Sequence, residues 1–314
     1  MKYRPLGRSG LSASEISLGG WLTLGGSVDE AVSVRLIQYA FYRGINLFDV
    51  ADVYSDGRAE VVLGKAVKEL PREQVVLATK VFGRMHAGPH GSGLSKKHIL
   101  QACEASLTRL KVDTIDLYQF HAPHERVHLE ESLEAMDILV RQGKVLYAGC
   151  SNFSAEDILH ALDIATRLGF PRFISNQPRY NMLDRTVEND LFPLCEAEGI
   201  GNMVYSPLAH GILTGKYKTG VAPPDGSRLR RLNGAIQSRY LTGENLGKVE
   251  KITSIADRLG TTTAAIALAW ILRRSEVSSA IVGATSIEQL DENIEASDLE
   301  LSEEVMRELE RIVA

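Results

Sequence analysis

The chain has 314 residues, 44% of them hydrophobic, with 35 lysines and arginines against 40 acidic residues. Such length and apolar content supply a large core and exclude global disorder, and a formal charge of −5 offers nucleic acid no overall attraction. The start Met1-Lys2-Tyr3-Arg4-Pro5-Leu6-Gly7 has no signal-like apolar stretch, the apolar run 264–272 stops at Arg273 short of a bilayer span, and Cys103, Cys150 and Cys195 lie far apart. A reduced, cytoplasmic protein without membrane insertion is therefore expected.

In chain order, strand-like runs fall at Ile16–Gly20, Asn46–Val50, Val75–Lys80, Ile115–Phe120, Val145–Ser151, Phe173–Gln177, Gly201–Ser206 and Ala280–Gly283, each followed by a helical segment. This alternation predicts an α/β fold, a (β/α)8 TIM barrel forming a single domain over residues 1–314. Between the strands, apolar stripes mark helices, as in Ile158, Leu162 and Ala165 behind the N-cap candidate Ser154 with Asp157 at its third position. Ser286 with Gln289 repeats that start signal. Two stretches, 82–94 after the third strand and 207–246 after the seventh, are too long for ordinary connections and lack periodicity over most of their length, so both are read as long loops over one barrel face. An extra C-terminal helix, Glu303–Ile312, closes the chain.

Four polar residues, Asp49, Tyr54, Lys80 and His121, fall at or just past the ends of successive strands. In a parallel barrel those ends converge on the face that carries chemistry. Reduction of a carbonyl by a nicotinamide needs a proton donor for the developing alkoxide. Tyrosine, with a reference pKa of about 10, is a poor acid alone; a neighbouring ammonium favours the tyrosinate and a carboxylate holds that ammonium in place. Tyr54, Lys80 and Asp49 meet this need, and His121 is placed to hydrogen-bond the carbonyl oxygen.

The phrases around these residues, Gly44-Ile45-Asn46-Leu47-Phe48-Asp49-Val50-Ala51-Asp52-Val53-Tyr54, Ala78-Thr79-Lys80 and Asp116-Leu117-Tyr118-Gln119-Phe120-His121, resemble the aldo-keto reductase superfamily. The segments 57–64, 93–99, 206–217 and 282–293 are most similar to the branch that contains the potassium-channel β-subunits. The resemblance implies a catalytic tetrad of Asp49, Tyr54, Lys80 and His121 with Tyr54 as general acid, and an extended NADP(H) lying across the strand ends without a Rossmann fold. It implies that Ser151, Asn152 and Gln177 bind the carboxamide, that Tyr205 stacks on the nicotinamide, and that Trp21 lines the hydride-transfer site with Asp49 nearby. Ser206, Pro207, Leu208, Gly211 and Lys216 match the pyrophosphate segment. Gly283, Thr285, Gln289, Glu292 and Asn293 match the adenosine end, and Ser227 with Arg228 the adenine-ribose phosphate. The positive charge of Arg228 and Lys216 favours NADP over NAD. Trp21, Phe82, His121 and His124 are the expected substrate pocket. The β-subunits carry Asn where this chain has His121, and Val50 replaces the commoner Thr; the first departure favours turnover.

A Walker-like stretch at 211–217 is one residue short and ends on Tyr217, which cannot bind magnesium. The histidines at 86, 90, 121, 124 and 128 lack Cys or carboxylate at a familiar ligand spacing, so no metal is expected. The basic run at 228–231 lacks interleaved aromatics and is read as a phosphate site, not a nucleic-acid patch. The expected partner is a small carbonyl substrate, and assembly into a homo-oligomer, a tetramer or larger, is left open. Two rival readings are an NADPH-sensing regulatory subunit with a channel-type partner, which the lack of a long N-terminal extension weakens, and a barrel isomerase or aldolase using Lys80 as a Schiff-base nucleophile.

Overall fold

The computed structural model describes residues 1–314 except 226, 232 and 233, and the side chains of 231, 235 and 236 are likewise not described. The chain opens with an antiparallel hairpin, β1 (Tyr3–Pro5) and β2 (Ser12–Ser14). Eight parallel strands then close a barrel in the order β10-β3-β4-β5-β6-β7-β8-β9: β3 (Ile16–Gly19), β4 (Leu47–Asp49), β5 (Val76–Val81), β6 (Ile115–Phe120), β7 (Val145–Ser151), β8 (Phe173–Gln177), β9 (Gly201–Tyr205) and β10 (Val277–Val282). The helices are α1 (Glu30–Tyr42), α2 (Arg58–Val67), α3 (Lys96–Leu110), α4 (Leu129–Arg141), α5 (Ala155–Leu168), α6 (Leu191–Glu198), α7 (Arg228–Arg231), α8 (Gly234–Tyr240), α9 (Gly243–Leu259), α10 (Thr263–Leu272), α11 (Ile287–Glu295) and α12 (Glu303–Val313).

The (β/α)8 barrel is as expected. Three details differ. The N-terminal hairpin has three-residue strands, too short for any periodic signal, yet Leu6, just past β1, and Ala13, within β2, are buried on the inward side chains Leu47, Val76, Ala78, Leu117 and Met203. The stretch 207–246 contains a kinked turn at Ala209–Thr214, broken by left-handed backbone at His210 and Gly211, then α7, α8 and the first turn of α9. Finally, Ser154 and Asp157 form the full reciprocal cap of α5, whereas Ser286 caps Gln289 N while Gln289 Oε1 accepts from Thr285 N and Oγ1, 3.0 Å each.

Alternation along each strand explains where polar side chains sit. Successive residues point to opposite faces, so i and i+2 share a side. Inside the barrel the series Leu47–Asp49, Val76–Ala78–Lys80 and Leu117–Gln119 each run from apolar to polar towards the strand's C-terminal end. The hydrophobic half fills the bottom layer and the polar half is lifted to the mouth. Space there is tight: a Cβ on Gly149 would lie 2.5 Å from Ser175 Oγ and 3.1 Å from Gln119 Cγ, so the absence of a side chain on β7 makes room for Gln119. Among the described residues no single helix is long and apolar enough to cross a membrane.

Candidate active site

Asp49 ends β4, Lys80 lies near the end of β5, His121 follows β6, and Tyr54 stands in the turn between β4 and α2. The fold gathers all four. Lys80 is fully buried; its Nζ donates to Asp49 Oδ1, to Val50 O at 2.9 Å and to Tyr54 Oη at 3.3 Å. The ammonium also lies 4.9 Å from the centre of the Tyr54 ring, and the His121 ring meets that ring edge-on at 5.6 Å. His121 N is fixed on Val81 O at 3.0 Å.

Gln119 was not singled out from the sequence, yet its Nε2 donates to Asp49 Oδ2 at 3.1 Å, beside Gln177 Nε2 at 2.9 Å. Both oxygens of the Asp49 carboxylate are thereby engaged, one by the ammonium and one by two amides. A signal existed: Gln119 lies two residues before His121 and pairs in register with Lys80, which places it on the same inner face.

The electrostatics refine the expected chemistry. Burial raises the Tyr54 pKa above its ordinary value, opposing and outweighing the nearby Lys80 ammonium, so the hydroxyl stays protonated at neutral pH. The ammonium does favour the tyrosinate, as expected, but burial, with Asp49 beside it, decides the net direction. For Lys80, burial favours the neutral amine, but Asp49 and Tyr54 outweigh it and the pKa rises. An ammonium so held is a poor Schiff-base nucleophile. Burial, and then Lys80, push His121 down to about 3, leaving a neutral imidazole.

Around this core the residues matched to the carboxamide are already wired together. Ser151 Oγ donates to Gln177 O at 2.9 Å, Asn152 Nδ2 donates to His121 O at 2.9 Å, and Tyr205 Oη donates to Asn152 Oδ1 at 2.8 Å. Asn152 and Ser206 both adopt left-handed backbone, with φ of 59° and 54°, which turns the chain sharply at the strand ends. Arg179 lies 5.9 Å from the centre of the Tyr205 ring.

The residues matched to phosphates lie on the segment after β9. Arg228 sits 5.9 Å over the Trp21 ring, and the pKa of Lys216 is lowered by burial and then by Arg228. Ser227 Oγ is buried with no hydrogen-bond partner among the described residues. Two cations that disfavour each other and an orphaned hydroxyl form a donor set that an anion would complete, so these residues fit a phosphate-bearing cofactor. Pro207 and Leu208 lead into the turn at 209–214, and Gly211 lies beside the Lys216 side chain. Gly283 leaves space next to Arg228 Nη2, and Thr285, Gln289 and Glu292 are exposed on the turn and first residues of α11 while Asn293 is buried. That helix is anchored to α1 where the Tyr39 hydroxyl donates to Asp291 Oδ2 at 2.9 Å.

Trp21 is exposed and meets His210 edge-on at 5.8 Å, while Phe82 is half-buried and packs on His124 at 5.7 Å. His124 lines a cavity of about 210 Å³ with Leu94, His128 and Phe153, whose lining includes none of the four tetrad residues. Cys150, next to Ser151, is buried and its thiol pKa is pushed well up by burial, which makes it unreactive. No group of three or more His, Cys, Asp or Glu able to hold a metal occurs among the described residues.

Comparison with known proteins bears on these residues. The model of the Aldo/keto reductase family matches residues 15–314. A protein of Schizosaccharomyces pombe named "Putative voltage-gated potassium channel subunit beta" is 41% identical, over 99% of this chain and 93% of its own length. Two plant proteins named "Probable voltage-gated potassium channel subunit beta" are similar: that of Arabidopsis thaliana at 40% identity over 95% of this chain and 92% of its own, and that of Oryza sativa subsp. japonica at 39% over 100% and 97%.

Proposed function

Because this chain belongs to the aldo/keto reductase family, a family of oxidoreductases, we propose that it reduces aldehydes and ketones to alcohols with NADPH, using Tyr54 as the general acid. The observation that carries this reading is the Lys80 ammonium, held by Asp49 and 3.3 Å from the Tyr54 hydroxyl. Bound NADPH would supply the hydride to the carbonyl carbon. Tyr54 gives its phenolic proton to the carbonyl oxygen, and Lys80 stabilises the phenolate that remains until solvent restores the proton. Asp49 fixes Lys80 and is itself fixed by Gln119 and Gln177. His121, neutral, offers a hydrogen bond to the carbonyl oxygen and orients it toward Tyr54 without adding a competing charge.

The roles of the surrounding residues follow. Ser151, Asn152 and Gln177 would hold the carboxamide, Tyr205 would stack on the nicotinamide, and Ser227, Arg228 and Lys216 would take phosphates, the last two supporting NADP over NAD. Trp21, Phe82 and His124 would wall the carbonyl pocket. Tyr54→Phe keeps the ring and loses the acid, so NADPH oxidation with an aldehyde should fall by about 10²–10⁴-fold while cofactor affinity stays within about twofold. Equal loss of both would overturn the assignment.

A second reading is favoured by the names of the relatives: an NADP(H)-holding regulatory subunit that docks on a channel. Steady-state NADPH oxidation over an aldehyde panel separates the two, since tight cofactor binding with no turnover above the blank supports the subunit.

A further inference from the structure

Beside the Tyr54–Lys80 pair lies a second buried polar cluster that the chemistry above does not use. Asp52, Glu60 and Thr79 are each fully buried. Glu60, on α2, accepts from Thr79 Oγ1 at 2.6 Å, the neighbour of Lys80, and from Arg109 Nε of α3 at 2.6 Å. Asp52 N donates to Lys80 O at 3.2 Å, Asp52 Oδ1 accepts from Val53 N at 2.6 Å, and Asp52 Oδ2 has no hydrogen-bond partner among the described residues.

This cluster surrounds a turn that the backbone alone does not favour. After Tyr54, residues Ser55, Asp56 and Gly57 have φ of 51°, 53° and 85°, a run of left-handed conformations that persists only where the surroundings over-determine it. Arg109 lies across that turn: a Cβ on Gly57 would stand 2.8 Å from Arg109 Cδ. Glu60 thus grips, through one carboxylate, both the arginine that covers the turn of Tyr54 and the strand that carries Lys80.

We propose that Asp52, Glu60 and Arg109 form a positioning cluster that holds Tyr54 against Lys80 only while Asp52 keeps its proton, so that the cluster sets an alkaline limit on turnover. Charge balance supplies the reason. The titratable and charged groups around the cluster are Glu60 on α2, Arg109 and Cys103 on α3, and Tyr118 on β6. Burial pushes the Cys103 thiol up to about 12 and the Tyr118 hydroxyl well above its usual range, so both are neutral. Arg109 then acts on two buried carboxylates but, among the described residues, pairs only with Glu60, its other hydrogen bond going to Ser106 Oγ at 3.3 Å. Burial, and then repulsion by Glu60, push Asp52 up to about 7. When Asp52 ionises, a second buried anion enters a cluster that one guanidinium already balances, and the turn loses its support.

The inference rests on the reductase reading, and one experiment separates their failures. kcat is measured from about pH 6 to about pH 9 with saturating NADPH and an aldehyde for the wild type and for the non-ionising variants Asp52→Asn and Asp52→Ser. The expected result is a wild-type fall of roughly tenfold with a midpoint near pH 7, absent from both variants, whose kcat near pH 6 stays close to wild type. Superimposable profiles overturn the cluster's role and leave the reductase intact. Absence of turnover at every pH defeats the reductase reading instead. The proton on Asp52 is then still read from thermal midpoints without substrate: the folded state binds the extra proton between about pH 4 and 7, so wild-type stability falls across that window relative to Asp52→Asn, and parallel curves refute it.

Discussion

Replacing Lys80 with Met tests the arrangement most directly, because Met fills the space of the lysine stem and deletes only the charge and its donors. Lys80 is fully buried and Asp49 is 2% exposed, so neither can be rescued by solvent. With the ammonium gone, Asp49 keeps Gln119 and Gln177 as donors on Oδ2 and loses its donor on Oδ1. Breaking a buried pair from one side costs about 3–5 kcal/mol, and the two amides place Lys80→Met near the lower end, about 3 kcal/mol. Adding Asp49→Asn to that variant removes the orphaned charge, and the double variant should return to within about 1 kcal/mol of wild type. Urea unfolding of the wild type, both single variants and the double variant, followed by circular dichroism, gives the coupling energy. A sum of single effects matching the double within about 0.5 kcal/mol would show that the pair is not an isolated buried ion pair and would refute the reasoning. Activity should not follow stability: the double variant stays inactive, since no ammonium faces Tyr54.

Two further outcomes rest on separate parts of the molecule. Gly64→Ala places a methyl 2.3 Å from Leu110 O, forcing α2 away from α3, and should lower stability by about 2–3 kcal/mol in the same urea assay; an unchanged midpoint would mean the two helices yield without cost. For His121, whose folded-state pKa is pushed down to about 3, the unfolded chain takes up a proton below about pH 6.5 while the folded one does not, so the neutral ring's contribution is complete above that value and is lost as pH falls toward 3. Wild type should therefore lose about 2 kcal/mol more than His121→Asn between pH 6.5 and 4.5, and equal losses would show that His121 already carries charge.

Much of the barrel was legible because a strand buried on both faces, as β6, β7 and β8 are over most of their length, is written as a short apolar run with flanking turn residues. Those three were located to the residue, β4 and β5 to within one, and the ends of β4, β5 and β6 pointed to Asp49, Lys80 and His121 with no knowledge of contacts. The hairpin at 3–14 was not legible, since strands of three residues have no period to detect and are stabilised by Leu6 and Ala13 sealing the barrel floor. Helices α7 and α8 escaped for a similar reason: four and seven residues of mixed polarity show no stripe.

What the amino-acid order determined by itself was which residue types stand at the ends of which strands, because that depends only on local spacing and on the parallel direction that alternation imposes. Protonation and partnership were decided by tertiary packing. Whether Tyr54 rests as a phenol, whether His121 is neutral, which carboxylate keeps its proton and which amides hold Asp49 all depend on how much water is excluded and which charges lie within a few ångströms across elements distant in sequence. Desolvation is a property of the closed barrel and its covering turns, so no reading along the chain could supply it.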